Sequence, residues 1–354
     1  MPTLKFNHSI LQFIQDKNGI KYNPEEWVEK MPSIGCVVEG NDDLGIEIEI
    51  FPDRTDLLSH ETISRAARAF LNSAEYSPDF KIIQGELSLS VDPAIEKIRP
   101  VILGAVVRGV DNGTNPEQRD EFIQSLMEHQ EKLHMTLGRK RKFASIGVHD
   151  LSKLKPPFNV IGVDKNHVFI PLAEKEEMTI EDILKSHPKG KEYAGLMEGM
   201  DKYPVIIDSN DKVLSFPPII NGDHTTVTEN TTDFFIDVTG WDERSCEACL
   251  LLICLSLAER GGVVESIQIK NWDGGISNVP RGDSKIHKVP DKLISKILGI
   301  ELEKSEIATA IKKMGGKLIE SRTVTDGPDK AEKWADCVVG EKEHIIALPR
   351  WRND

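Results

Sequence analysis

The chain has 354 residues, 44 of them Lys or Arg and 58 Asp or Glu, giving a net charge of −14 and a pI near 5.3. At about 150 residues per domain that length predicts two to three domains, and shares of 29% charged and 39% apolar residues exclude a disordered chain. Net acidity excludes a protein that coats nucleic acid non-specifically, while local basic contacts stay open. The longest apolar run, Ala248–Leu255, falls far short of the roughly 20 residues of a membrane span. Met1-Pro2-Thr3-Leu4-Lys5-Phe6 has no signal-peptide core, so a cytoplasmic chain is expected, with its five cysteines reduced.

In chain order, residues 1–75 read as a small α+β unit. Gly45–Phe51 alternates Ile46, Ile48 and Ile50 with Glu47 and Glu49, which predicts a half-buried strand that Pro52 ends. Ser59 is placed to cap a helix whose stripe is Ile63, Ala66, Ala67, Phe70 and Leu71. Residues 76–96 predict a connection with a short strand, and Pro100–Val110 the first strand of a new domain. Pro116–Leu137 is the longest helical pattern, with Gly138 where a terminating glycine belongs. Strands are predicted at Phe143–Val148, His167–Pro171, Tyr203–Asp208, Val213–Phe216, Phe234–Val238 and Val263–Ile269. Ser209-Asn210-Asp211 reads as a hairpin turn, Glu243–Glu259 as a helix across the sheet, and Asn271–Lys285 as a linker. Beyond it, helices from Pro290 to Gly299 and Glu303 to Met314 precede strands at Lys317–Ile319, Cys337–Val339 and His344–Leu348, the order of a winged helix.

Several chemistries are absent: no phosphate loop, no dinucleotide-binding G-x-G-x-x-G and no G-x-S-x-G nucleophile elbow. His60-Glu61 begins like a zinc motif, but Ser64 stands where the second histidine would be. Cys246 and Cys249 lack a second pair and lie in an apolar helical run, so they are expected to be buried structural thiols. Trp241 and Trp272 flank turns and are expected to pack. Arg139-Lys140-Arg141-Lys142 reads either as a solvated helix end or as a phosphate-contact tract. His149-Asp150 is either a base with its neighbour or a polar strand end. Asp237 and Thr239 alternate onto one face, and a pocket floored by that pair would lie beside Ser215 and Asn221; capping of loops explains the same residues equally well.

Taken together, the ordered blocks Pro52-Asp53-Arg54-Thr55-Asp56-Leu57-Leu58-Ser59, Gly138-Arg139-Lys140-Arg141-Lys142, Gly147-Val148-His149-Asp150-Leu151, Lys155-Pro156-Pro157-Phe158, His187-Pro188-Lys189-Gly190, Ser215–Asn221 and Asp237-Val238-Thr239-Gly240 resemble the β subunit of phenylalanine–tRNA ligase of the archaeal and eukaryotic type. The resemblance spans the chain. It implies an α+β multidomain fold: an N-terminal α+β module (1–89), an α+β editing domain with a mixed or antiparallel sheet (90–272), and an incomplete winged-helix-like module (273–354). The family's β subunit continues further, so a truncated piece is expected. Asp354 matches the first of four acidic residues that hold magnesium in the family, which implies an incomplete metal site here and no cofactor for editing. The implied partners are tRNA(Phe) and the α subunit, in a heterotetramer of two α and two β, with no DNA and no membrane. ATP-dependent aminoacylation belongs to the intact enzyme and is not expected of this chain alone.

The implied editing has a physical reason. An apolar pocket built for phenylalanine rejects an isostere with one more hydroxyl only about 10²-fold, and tyrosine is such an isostere. A second site that demands the phenol oxygen supplies the missing discrimination. Asp237 is the candidate phenol acceptor, in the place of a bacterial glutamate that reads the tyrosine hydroxyl, and Leu214, Ser215, Pro217 and Pro218 are candidate substrate contacts. Asn221, Thr239 or His149, or a tRNA terminal hydroxyl, would position the attacking water; His149 stands near a bacterial active-site histidine. Arg139, Lys140, Arg141 and Lys142 are the candidate tRNA contacts. The alternative is a non-catalytic tRNA-docking and assembly module. A nucleic-acid regulator using the winged helix is disfavoured by the acidic start Glu301-Leu302-Glu303-Lys304-Ser305-Glu306.

Overall fold

The computed structural model describes residues 3–72, 80–325, 329–331 and 335–352. The chain divides into two compact units, Phe80–Arg281 and a second made of Met1–Asp79 with Gly282–Asp354. The N-terminal segment runs β1 (Thr3–Asn7), α1 (His8–Lys17), α2 (Pro24–Lys30), β2 (Cys36–Asn41), β3 (Gly45–Ile50) and α3 (His60–Ala67). The alternating Ile46, Ile48 and Ile50 make β3 the middle strand of an antiparallel β1-β3-β2 sheet, and all three are fully buried. Ser59 caps α3 by accepting from the Thr62 N–H at 3.1 Å. In the turn before it, Arg54 and Asp56 form a buried two-pronged ion pair at 2.9 and 3.0 Å, so this motif is a structural corner.

The larger unit holds β4 (Ile82–Val91), β5 (Val101–Arg108), α4 (Pro116–Met135), β6 (Ala144–Asp150), β7 (Phe158–Val163), β8 (Val168–Phe169), β9 (Met178–Thr179), α5 (Ile180–Ser186), α6 (Pro188–Tyr193), β10 (Tyr203–Ile207), β11 (Val213–Phe216), β12 (Ile220–Asn221), β13 (Phe234–Gly240), α7 (Glu243–Glu259), β14 (Val263–Lys270) and β15 (Ile276–Val279). Among the described residues ten of these strands form one sheet in the order β12-β11-β10-β7-β4-β14-β5-β13-β6, with β15 beside β14. Only β4 runs parallel to its neighbours, β7 and β14; the other described pairings are antiparallel. Leu89, Val106, Phe158, Phe235 and Ile267 belong to the core of one face, and α7, apolar on every side, is buried almost throughout against β5, β6 and β13. A second core gathers Phe169, Ile180, Ile183, Ile207 and Phe216 under α5 and α6.

The C-terminal segment runs β16 (Lys285–Pro290), α8 (Asp291–Leu298), α9 (Lys304–Lys313), β17 (Lys317–Thr323), β18 (Asp329–Ala331), β19 (Ala335–Cys337) and β20 (Lys342–Leu348). A sheet in the order β16-β20-β17 backs the two helices over Ile307, Ile311 and Ile346. No described helix is long and apolar enough to cross a membrane.

Four expectations change. β4 is a full strand inside the large sheet, so residues 82–89 join the larger unit and not the N-terminal module. The expected linker contains β15, paired with β14, and ends on the first residue of β16. Helix α4 ends at Met135 with Thr136 as its cap, so Gly138 does not terminate it and has no left-handed backbone; a Cβ there would stand 2.5 Å from the Ala144 carbonyl, so close approach explains the glycine. Trp272 packs on the core and donates to Pro100 O at 2.9 Å, but Trp241 is 47% exposed.

Candidate functional site

β12 and β6 stand at opposite ends of the strand order, yet Asn221 of β12 donates from Nδ2 to the Val148 carbonyl of β6 at 3.4 Å. Helix α4 binds the same strand: Gln130 Nε2 donates to Ile146 O at 2.7 Å, and the Ile146 N–H donates to His134 Nε2 at 2.9 Å. Here lies a cavity of about 460 Å³. Its wall is apolar at Ile123, Met127, Ile146, Val148, Ile219 and Pro217–Pro218, and polar at Gln130, Arg141, His187, Ser215, Asn221 and Thr225. An apolar pocket with a few convergent polar groups suits a small aromatic ligand.

Ser215 and Asn221 stand opposite each other in the β11–β12 register, and both line this cavity with Pro217 and Pro218. Leu214 does not: strand alternation turns it into the main core, where it is fully buried.

The basic tract divides. Arg139, Lys140 and Arg141 form a left-handed run with φ of 44°, 54° and 64°, which only surrounding bonds can hold in non-glycine residues. Arg99 supplies one, from Nη2 to Arg141 O at 2.9 Å. Arg141 turns inward: Nη1 donates to the carbonyls of Pro218 and Ile219 (3.2 and 3.0 Å), Nη2 to Glu131 (3.2 Å), and the guanidinium lies 4.5 Å over Tyr193. It clamps the proline loop onto the cavity. Arg139, Lys140 and Lys142 are exposed. Hydrogen bonding from His134, with the Arg141 charge adding to it, holds the Glu131 carboxyl down at about 2, while burial lowers the His134 pKa. Because His134 Nε2 accepts from Ile146, its proton is on Nδ1, facing Glu131 at 3.2 Å.

His149, Asp237 and Thr239 are fully buried, on one face of β6 and β13, and none lines the cavity wall. His149 does not pair with Asp150, whose carboxylate instead accepts from Ser152 and Thr231. Its partner is Asp237, with Nε2 2.7 Å from Oδ2. The other ring nitrogen, Nδ1, is 2.8 Å from the Thr225 hydroxyl, which itself donates to Gly222 O at 2.9 Å. Thr225 lines the cavity, so a bonded path leads from the wall through His149 to Asp237. Room for the carboxylate comes from Gly147, the cross-strand neighbour of Asp237, where a Cβ would stand 2.0 Å from Oδ2. Asp237 Oδ1 is buried without a hydrogen-bond partner among the described residues. Thr239 belongs to the scaffold: its hydroxyl and carbonyl accept from Arg99 Nε and Nη2 at 2.7 and 2.8 Å. Burial pulls the Arg99 pKa down to about 10, against the opposing charge of Asp237.

Sequence reasoning missed Arg99, Gln130, His134 and Thr225. Only Thr225 carried a local signal, its place in the polar run Asn221-Gly222-Asp223-His224-Thr225-Thr226. Cys246 and Cys249 are free and buried; burial raises the first to about 12 and the second well above its ordinary value. Asp354, the expected magnesium ligand, lies outside the described residues, and among those described no group of three or more His, Cys, Asp or Glu could hold a metal ion.

Residues 99–249, which contain every cavity residue, match the family model of the B3/4 domain. The chain is similar throughout to a solved structure, an N-terminal fragment of the phenylalanyl-tRNA synthetase beta-subunit from Pyrococcus horikoshii, with a TM-score of 0.82 and 29% identity, covering 100% of this chain and 95% of that one. The phenylalanine–tRNA ligase beta subunit of Archaeoglobus fulgidus is 43% identical over 287 residues, 81% of this chain and 51% of the relative. That of Methanocorpusculum labreanum is 36% identical over 327 residues, 92% and 58%. This is therefore a B3/4-domain protein. It belongs to the phenylalanine–tRNA ligase beta-subunit family and spans about half the length of the curated relatives it matches.

Proposed function

We propose that this chain is the editing part of its ligase: it hydrolyses the ester joining tyrosine to tRNA(Phe). Water attacks the ester carbonyl, the carbon–oxygen bond to the terminal ribose breaks, and the water's proton passes to the ribose oxygen. No covalent nucleophile is needed.

The observation that carries this reading is the buried Asp237 carboxylate, with one oxygen linked through His149 to Thr225 on the cavity wall and the other, Oδ1, unpartnered among the described residues. A phenol hydroxyl donating to Oδ1 satisfies that oxygen. A bare phenyl ring leaves it unsatisfied, which costs about 1–3 kcal/mol and favours the tyrosyl ester. Asp237 has no exposed surface, so the wall next to His149, at Val148 and Thr225, has to yield for the ring to arrive. Asn221, on the wall, orients the water or the ester carbonyl. Arg139, Lys140 and Lys142 contact tRNA phosphates, while Arg141 shapes the pocket.

In the intact enzyme, two such β chains act with two α subunits to charge tRNA(Phe) with phenylalanine, and Asp354 contributes to a magnesium site. A second reading, a docking and assembly module without catalysis, is favoured by the full burial of His149, Asp237 and Thr239 in one bonded network. Release of tyrosine from tyrosyl-tRNA(Phe) by the purified chain separates the two: the editing reading requires it, and the docking reading forbids it.

A further inference from the structure

We propose that His149 and Thr225 are specificity-positioning residues: they fix which oxygen of Asp237 is left to read the substrate, and His149 does not activate the water. This deepens the editing reading and rests on it.

The bonding of the imidazole carries the argument. Thr225 Oγ1 stands 2.8 Å from His149 Nδ1 and 2.9 Å from Gly222 O, so Nδ1 is bonded to the hydroxyl in either tautomer. Nε2 and Asp237 Oδ2, 2.7 Å apart, share a proton between them. That bond satisfies one oxygen of a carboxyl group that lies fully buried in the sheet. Both ring nitrogens of His149 are committed, and its side chain is 0% exposed, so no lone pair faces a water in the cavity. What the imidazole does is hold Oδ2 over Gly147, leaving Oδ1 as the remaining acceptor. Thr225, with its hydroxyl between the ring and Gly222, holds the ring in place from the cavity wall.

The test measures kcat/KM for tyrosyl- and phenylalanyl-tRNA(Phe) hydrolysis by the full chain and five variants. His149→Ala is expected to lower the tyrosine-to-phenylalanine ratio about tenfold, to the level of Asp237→Ala, and the double variant to fall no further. His149→Gln, whose amide can still donate to Oδ2, is expected to keep most of the ratio. A scaffold role alone would not give that rescue. Thr225→Val, close to isosteric, is expected to lower the ratio in part, and it carries the test if His149→Ala fails to fold. Both esters slowed alike with the ratio intact in His149→Ala, or in Thr225→Val where His149→Ala does not fold, overturns the positioning role. A wild-type chain that releases neither amino acid overturns the editing reading itself, and this inference with it.

Discussion

Adding one carbon to Gly147 should break the centre of the site. An ideal Cβ there stands 2.0 Å from Asp237 Oδ2 and 2.7 Å from His149 Nε2, both on fully buried side chains with nowhere to swing. Gly147→Ala must push the carboxylate off the imidazole. A lost charge-assisted hydrogen bond costs about 1.5–3 kcal/mol, and overpacking a full core about 1–3 kcal/mol more. Even the low end, about 2.5 kcal/mol, lowers the melting temperature of a unit of this size by about 5–10 °C. Gly195→Ala is the control in the same unit, because a Cβ there meets nothing within 4 Å; its change should stay within about 0.5 kcal/mol. Calorimetry of both variants beside the wild type is the assay, with ester hydrolysis by each. Gly147→Ala melting with the control and keeping its preference for the tyrosyl ester would refute the account of Asp237 as pinned over Gly147.

Three further outcomes are expected. Neutralising Arg139, Lys140 and Lys142 should weaken tRNA binding and flatten the slope of log K against log salt by about 0.7 per lost phosphate contact, whereas Arg141→Gln should chiefly loosen the proline loop; titrations at several salt concentrations distinguish the two. Cys246 and Cys249, their thiols raised by burial, should react with a thiol reagent only after unfolding, and metal analysis should find no stoichiometric zinc. Glu131 has its carboxyl held down at about 2 in the folded state by His134 and then Arg141, so its contribution is present above the ordinary carboxylate range and lost as pH falls towards 2. Melting temperatures of Glu131→Gln and wild type should therefore differ at neutral pH and converge in acid; a constant gap would mean that the pairing is unimportant.

Local pattern carried the fold where the pattern is local. Helix α7 and strand β11 fall where apolar runs and alternation put them, and Ser59 caps its helix. A short strand is expected within residues 76–96, but the full length of β4 escapes because serines and Gly85 interrupt it and a bulge breaks its register with β14. Gly85 is there because a Cβ would stand 2.5 Å from the Ser266 carbonyl, an encounter invisible from neighbouring residues. The site shows the same division. Alternation put Asp237 and Thr239 on one face, but their partners come from far along the chain: His149 lies 88 residues from Asp237, and Arg99 lies 140 from Thr239. No spacing rule spans such distances. Asp150 is therefore the one partner for His149 that local sequence offers, beside the reading of a polar strand end, and the expected pocket floor runs through Asp237 and Thr239, which do not line the cavity.

The most direct measurement is the steady-state release of tyrosine and phenylalanine from charged tRNA(Phe) by the wild-type chain and by Asp237→Ala, with circular dichroism confirming that the variant is folded. The account predicts a wild type that strongly prefers the tyrosyl ester and a variant that has lost this preference, a change of about 1–3 kcal/mol in the tyrosine reaction. A folded Asp237→Ala chain that still prefers the tyrosyl ester, or a wild type that hydrolyses neither, contradicts it.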